Sequence, residues 1–379
     1  MPLDPRGWPP GFGRGGPEWE ALLILSHLET LTPRRLRDLA WSEGSARACL
    51  QAVRRGAAGE GDRGLAERVE AAAVGAALAA CRGRALGPWD AEYPDRLLDL
   101  PDPPACLYVR GRSLHELKSA VAVVGARSCS DYGRGVAETI GRGLADRGVC
   151  VVSGAARGVD AAAHRGALSV HGPTIAVLGS GIDIAYPSTN RRLLGDIVRI
   201  GTVVSEYPPG MPARPRRFPA RNRLIAALGG AVVIVEGAAG SGSLITAEFG
   251  LDLGRDLFAV PGPVTSPLSA VPHELLREGA MLARGPDDIL AELGVARSSP
   301  GSDVHAVTHA LSQEERRVLD GVVGEPVTAE AIALAASLPI STALSVLMSL
   351  EVRGLVRGMA GRYQRTSAAA ANRAAGSAG

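Results

Sequence analysis

Residues 213–230 read ARPRRFPARNRLIAALGG, and five arginines, Arg214, Arg216, Arg217, Arg221 and Arg223, fall within ten of them with no acid between. A planar guanidinium presents a fork of donors that matches phosphate oxygens, and the one aromatic among them, Phe218, has a face on which a base can stack. The chemistry of such a run is polyanion binding. Two plainer roles stay open: Phe218 packing at the start of the apolar helix that follows, and Arg221 and Arg223 pairing with Glu206 or Glu236 as structural ions. Lysine and arginine number 41 in 379 residues, about one in ten, so the local density stands well above background. Lys118 is the one lysine. There is no G-x-x-x-x-G-K-[ST] phosphate loop, and a Schiff base is possible only at Lys118.

Three further stretches offer a cradle to the same ligand. VAVVGARSCSDYG brings Gly125, Arg127, Ser128 and Ser130 to the mouth of a helix; VVSGAARGVD brings Ser153, Gly154 and Arg157; VEGAAGSGSLITAE brings Gly240, Ser241, Gly242, Ser243 and Thr246. Glycine lets a ligand approach the backbone, and the free N–H groups of a helix start favour phosphate. The same glycines also serve as tight strand-to-helix turns. No G-x-G-x-x-G is present, and in LGSGIDI Ile184 stands where the third glycine belongs, so no dinucleotide cofactor is expected. Several such turns in one chain suit an extended anion better than a single mononucleotide. Asp160 and His164, four apart, have the spacing of a metal pair but lack a third ligand; they read as a helix cap and a packed histidine, and no metal is expected. Asp183 and Tyr186 in GIDIAYPSTN read as turn and lid residues, and Cys129 as a packed thiol. No Ser-His-Asp order or catalytic carboxylate pair assembles, so no catalytic residue is assigned.

These residues need a scaffold, and the hydrophobic pattern supplies one. Short β-branched runs, AVAVVGA (120–126), VCVVSGA (149–155), TIAVLGSG (174–181), GTVVSEYP (201–208), AVVIVEG (231–237) and DLFAVPG (256–262), alternate with amphipathic stretches. Apolar strands in strict alternation with helices predict a doubly wound, Rossmann-like, mostly parallel sheet over 87–296, covered on both faces, with ligands at the C-terminal strand edge. The arginine run follows the fourth of these strands and so falls on that edge. Before the sheet, residues 1–20, rich in Gly and Pro, read as a mobile leader and 21–86 as a helical domain, with Thr32 as N-cap and Pro33 at the first position of one helix. After it come a linker at 297–310, then three helices and a two-strand wing at 311–366 that fit a winged helix, then an Ala/Gly/Ser tail at 367–379 read as disordered. Net charge is +2 and aromatics are 4%, so any anion site must come from local clustering. Five scattered cysteines, no charged-then-apolar leader and no apolar span predict a soluble, cytoplasmic protein without disulfides and without a membrane partner.

In order along 88–291, VAVVGARSCSDYG, VVSGAARGVDAAAHRGAL, TIAVLGSGIDIAYPSTNRRL, SEYPPGMPARPRRFPARNRLIAALGGAVVIVEG, SGSLITAEFGLDLGRDLFAVPG and LLREGA resemble the DNA-processing protein A (DprA/Smf) family. The flanking segments resemble its SAM or helix-hairpin-helix-like and winged-helix parts. The resemblance implies a homodimer that binds single-stranded DNA, protects incoming strands in natural transformation and loads RecA recombinase. Gly125 and Arg127 match the family's first phosphate-contacting turn, Ser153, Gly154 and Arg157 its second, and Phe218, Arg221, Asn222 and Arg223 its F-P-x-R-N-R stretch. Ser128, Arg214, Arg216, Arg217, Ser241, Gly242 and Ser243 join these expected DNA contacts from the residues themselves. The sequence departs from the family at Gly240, where a basic residue commonly precedes S-G-S, and at Val271-Pro272-His273, which replaces a Gly-Thr-Asn-like turn that bears on dimer geometry. Glu29-Thr30-Leu31-Thr32 replaces a glycine hairpin, so the helical domain is not expected to bind DNA. The third helix of the winged domain, SLPISTALSVLMSLEVRG, has few basic residues, and a partner-binding or regulatory role stands beside duplex reading there. An alternative class, the Rossmann-like nucleotide phosphoribohydrolases, carries P-G-G-x-G-T-x-x-E where this chain has G-S-G-S-L-I-T-A-E, with Glu248 as the glutamate. The missing P-G-G and the arginine run favour a DNA-binding protein over that enzyme.

Overall fold

The computed structural model describes residues 7–116, 119–295, 311–322, 326–352, 355–359 and 361–365. Two compact units divide the chain, residues 1–296 and 297–379. The linker expected at 297–310 and the tail expected at 367–379 lie outside the described residues, as does Lys118.

The first unit opens with helices α1 (Gly16–Leu25), α2 (Pro33–Glu43), α3 (Ala46–Ala52), α4 (Glu60–Arg68) and α5 (Ala71–Cys81). Then follow β1 (Gly83–Leu86), β2 (Leu107–Gly111), β3 (Ala120–Val124), α6 (Asp131–Asp146), β4 (Cys150–Ser153), α7 (Val159–Ser169), β5 (Thr174–Leu178), α8 (Arg191–Ile200) and β6 (Thr202–Ser205). The unit closes with α9 (Arg217–Leu228), β7 (Ala231–Ile234), α10 (Gly242–Asp252), β8 (Asp256–Ala259), α11 (Ala270–Arg277), β9 (Met281–Leu282) and α12 (Pro286–Glu292). Its strands form one sheet in the order β1-β2-β6-β5-β4-β3-β7-β8-β9. From β6 to β9 every neighbouring pair is parallel, while β2 runs antiparallel to β6 and β1 antiparallel to β2. The six β-branched runs are β3 to β8 of this Rossmann-like sheet.

Side chains alternate faces along each strand, and both faces are buried. Val121, Val151 and Val233 share a core with Ile140 and Leu144 of α6, Ala163 of α7 and Ile289 of α12. Their neighbours Ala122, Val152 and Val232 share another with Leu224 and Leu228 of α9, Ala247 of α10 and Leu275 of α11. From β3 the chain steps outward through β4 and β5 to β6, then crosses back to β7 on the other side of β3. The connections leaving β3 and β7 therefore diverge, and the crevice between them is where ligands of such sheets sit.

Two expectations about the N-terminal part need correction. Residues 7–20 are not a mobile leader: Trp8 and Phe12, each 1% exposed, stack with centroids 5.1 Å apart in a core with Leu22 and Leu25. Glu18 accepts from Ala46 N at 2.7 Å and so caps the start of α3. Burial of two large aromatics outweighs the freedom that the glycines and prolines lend this stretch. Nor do the helices stand apart from the sheet as a separate domain ending at residue 86. Their core includes Tyr108 of β2 and Ile182 beyond β5, and Ser26 Oγ lies 2.6 Å from Tyr108 OH.

The second unit contains α13 (Gln313–Gly321), β10 (Val327–Thr328), α14 (Ala329–Ala336), α15 (Ile340–Val352), β11 (Val356–Met359) and β12 (Arg362–Arg365), with strand order β10-β12-β11. Ser312 and Glu315 form a capping box at the start of α13. Val318, Ile332, Leu347 and Leu350 make the core of this winged helix. On α15, Ile340, Leu344 and Met348 are exposed at helical spacing, and the helix carries no arginine or lysine. It offers no cation to a phosphate.

Candidate nucleic-acid interface

The turns at the strand edge differ in what already occupies them. Beyond β3, Ser130 caps α6 by accepting from Gly133 N at 3.0 Å. Glu236, beyond β7, then accepts from Ser130 N at 2.9 Å and from Ser130 Oγ at 2.6 Å. A Cβ on Gly133 would lie 2.3 Å from that carboxylate, and one on Gly125 would lie 2.8 Å from Glu236 O, so both glycines let the buried acid and its strand come close. Beyond β4, Asp160 accepts from Gly154 N at 3.1 Å and Ala156 N at 3.3 Å, while buried Ser153 donates to Val123 O at 2.7 Å. An internal carboxylate thus sits in each of these two turns, where a phosphate was expected. Gly125 lets Glu236 and its strand come close, while the Gly154 amide and the Ser153 hydroxyl are taken up inside the protein and as they stand are not offered to DNA, which corrects the expectation for those two. At α10 no carboxylate lies in the first turn. Ser241 and Ser243 hydroxyls meet at 2.5 Å, Ser243 is buried, and Gly240 and Gly242 are exposed, so this is the open helix start of the three.

The arginine run divides in the same way. Arg221, 4% exposed, donates to Gly154 O at 2.8 Å and to Val177 O, tying the ends of β4 and β5. Burial pushes its pKa down to about 10, with Asp160 opposing the fall; burial likewise holds the Asp160 carboxyl above its ordinary range although Arg221 pulls it down. Arg223, 6% exposed, pairs with Glu206 and lies 3.5 Å from Asp102. Burial works against its charge, but the two acids prevail and hold its pKa above the ordinary value. Glu206, the pairing considered for this arginine from the sequence, is the partner found; Glu236 instead holds Ser130, the cap of α6. Neither Arg221 nor Arg223 is available to a strand, which corrects the expectation for both. Asn222 donates to Gly242 O at 3.2 Å and steadies the α10 turn.

Arg214, Arg216 and Arg217 converge on a single acid, Glu29, at 2.6, 3.1 and 3.6 Å. Arg217 is buried, lies 4.8 Å over the Tyr207 ring and donates to Pro212 O at 2.5 Å; Arg214 and Arg216 keep partly exposed guanidinium groups. Glu29 belongs to the loop between α1 and α2. Its amide and that of Thr30 donate to Asp62 at 2.8 and 3.0 Å, so these two N–H groups are taken up by an internal carboxylate.

Arg127, Arg157 and Ser128 are exposed, and neither arginine is ion-paired with a described residue. The Arg127 guanidinium lies 5.2 Å from the centroid of Phe218, and Tyr186 stacks on the same ring at 5.1 Å and 25°. Gly179 permits this, since a Cβ there would lie 3.0 Å from Phe218 Cδ1. Phe218 is half-buried in the first turn of α9, so it packs and also faces the edge. The sequence reading placed Tyr186 as a lid residue but not as a stacking partner. Glu29, Asp62 and Asp102 were not expected to take part at all; no spacing marks them.

The other residues singled out take structural places. His164 is fully buried with Nδ1 2.7 Å from Thr174 Oγ1, and burial lowers its pKa to about 3. Among the described residues no cluster of three or more His, Cys, Asp or Glu is placed to hold a metal. Burial raises the Cys129 thiol despite Arg134. Glu248 is exposed on α10. No single helix among the described residues is long and apolar enough to cross a bilayer.

Residues 84–294 match the family model described as DNA recombination-mediator protein A, and residues 305–362 match that of the DprA winged helix domain. The chain is 43% identical to the DNA processing protein DprA of Mycobacterium tuberculosis over 68% of its own length and 67% of that protein's. It is 38% identical to protein Smf of Escherichia coli over 73% of its length and 76% of the relative's. Among solved structures, DNA processing protein A of Streptococcus pneumoniae superposes with a TM-score of 0.62 at 34% identity, covering 77% of this chain and 99% of that one. A structure describing the single-stranded DNA binding mode of DNA processing protein A from Helicobacter pylori gives a TM-score of 0.51 at 30% identity, covering 56% of this chain and 95% of that one.

Proposed function

Because the chain belongs to the DNA recombination-mediator protein A (DprA/Smf) family, we propose that it is a single-stranded DNA-binding protein, not an enzyme, which holds the strand along the C-terminal edge of its sheet. In this reading it works in the cytoplasm as a homodimer, protects incoming strands in natural transformation and loads RecA recombinase onto them. The observation that carries the DNA assignment is exposed, unpaired Arg127 seated on Phe218. Arg157 and the open start of α10 extend the same edge, and guanidinium groups free of carboxylates are the ones that can exchange water for phosphate. Single-stranded DNA is the ligand named for the Helicobacter pylori relative. RecA, transformation and the dimer follow from the family resemblance.

Fluorescence anisotropy with a labelled oligonucleotide, single- and double-stranded and at several salt concentrations, tests the reading. The single strand is expected to bind in preference, with a log–log salt slope of roughly −0.7 per phosphate neutralised. Arg127→Ala and Arg157→Ala are each expected to flatten the slope by about one such step at unchanged thermal stability. Binding that ignores both substitutions sinks the strand-edge site, and equal binding of duplex sinks the single-strand assignment.

A further inference from the structure

Among the described residues Tyr186 is one of ten large apolar side chains left exposed, at 48%. It sits on the loop between β5 and α8, stacked at 5.1 Å on Phe218. Phe218 is thereby covered: Tyr186 takes up stacking surface on its ring, the Arg127 guanidinium lies 5.2 Å from its centroid, and Gly179 backs its edge. A base reaching this place meets Tyr186 first. Tyr132, of similar exposure, donates its hydroxyl to Pro261 O at 2.6 Å, whereas the Tyr186 hydroxyl makes no hydrogen bond to a described residue.

The loop that carries Tyr186 also walls a cleft of about 370 Å³, lined by Ile182, Asp183, Ile184, Ala185, Arg110 and Arg191. Asp183 is turned to Gly210 N, which donates to its two oxygens at 2.9 and 3.0 Å. Arg110 and Arg191 pair with no described carboxylate, and Arg110 Nε is buried without a partner. An aromatic face on the loop that walls a cleft with unpaired guanidinium groups suits an unpaired nucleotide, base on ring and phosphate on cation.

We propose that Tyr186, not Phe218, is the base-stacking platform of this edge, and that it extends the strand's path by one nucleotide whose phosphate is held by Arg191 in the adjoining cleft. The inference rests on the single-strand reading above, and the test separates the two. Wild type, Tyr186→Ala, Tyr186→Trp and Arg191→Ala are titrated with a normal single strand and with an abasic strand of equal length, which keeps the phosphates and lacks the bases. Stacking of one base on an aromatic corresponds to roughly tenfold in affinity. Tyr186→Ala is therefore expected to lose about tenfold on the normal strand and nothing on the abasic one, with its salt slope unchanged. Tyr186→Trp is expected to bind as tightly as wild type, its fluorescence quenched by the normal strand alone. Arg191→Ala is expected to flatten the slope by roughly 0.7 on both strands. Equal losses for Tyr186→Ala on both strands, unchanged binding, or tighter binding because Phe218 is uncovered would each overturn the platform while leaving the single-strand reading intact. Failure of the wild type to bind either strand would overturn both.

Discussion

Arg221 and Arg127 reach the same sheet edge, yet they behave as opposites. Arg221 is enclosed, joining the carbonyls that end β4 and β5 and balancing Asp160; Arg127 is exposed and touches an aromatic face. Arg223 and Arg157 repeat the contrast, one locked between Glu206 and Asp102 and the other exposed and unpaired. The difference lies in the neighbours, since the side-chain chemistry is identical. Where acids close off the guanidinium it assembles the edge, and where none does it is free to meet a ligand. Density of positive charge in a sequence is therefore a poor measure of how much of it a polyanion can reach.

The sharpest way to break this contrast is to remove an enclosed arginine. Arg223→Ala leaves Glu206 buried without its main partner, and losing one member of a buried pair costs about 3–5 kcal/mol. Urea denaturation is expected to show that loss, whereas Arg127→Ala is expected to unfold at the wild-type midpoint. Replacing Arg223 and Glu206 together by Met and Leu is expected to recover most of the stability, because no charge is then stranded. Wild-type stability for Arg223→Ala with lost DNA affinity would put this arginine on the strand and end the distinction.

A second effect comes from behind the edge, where His164 shares α7 with Asp160. Burial sets its folded pKa at about 3, below the ordinary 6.5, so the unfolded chain takes up a proton that the folded chain refuses. Stability from this group is complete above pH 6.5 and falls as the pH drops from there towards 3, by up to about 1.4 kcal/mol per unit. Denaturation followed from pH 7 to 5 is expected to show the decline, and His164→Gln to flatten it. A slope of opposite sign would mean that the ring is charged in the fold.

What could be read ahead of the structure follows range of interaction. β3 to β8 were legible because each is a short β-branched run whose neighbours in sequence set its alternation, and the C-terminal strand edge, where the ligand is proposed to lie, followed from their order. Arg127 was legible because it stands two residues after Gly125 at a strand end. The partners that decide the arginine run were not. Glu29 lies 185 residues before Arg214 and no local pattern joins them, while Glu206 stood only as one of two candidate partners for Arg223 until the fold brought the pair together. Glu236 on Ser130 was hidden, and Asp160, read as a helix cap, was not seen to fill the Gly154 turn, for a related reason: a glycine turn looks the same whether an internal acid or a phosphate fills it. Trp8 and Phe12 escaped because the glycines and prolines around them signal looseness, and their burial depends on α1.

Glu29 tests the boundary between the two classes. It is 28% exposed at the side chain and gathers Arg214, Arg216 and Arg217, of which the first two are 42% and 62% exposed. Pairs this wet contribute about 1 kcal/mol or less, so Glu29→Gln is expected to change the unfolding midpoint little. If the acid competes with phosphate for these two arginines, the substitution hands them to the strand: affinity is expected to rise about two- to fivefold, and the salt slope to steepen by up to roughly 0.7 for each arginine released. Unchanged affinity would mean that the strand passes them by. A fall would mean that Glu29 holds them in the posture the strand needs, and the carboxylate would then belong to the interface and not to its lock.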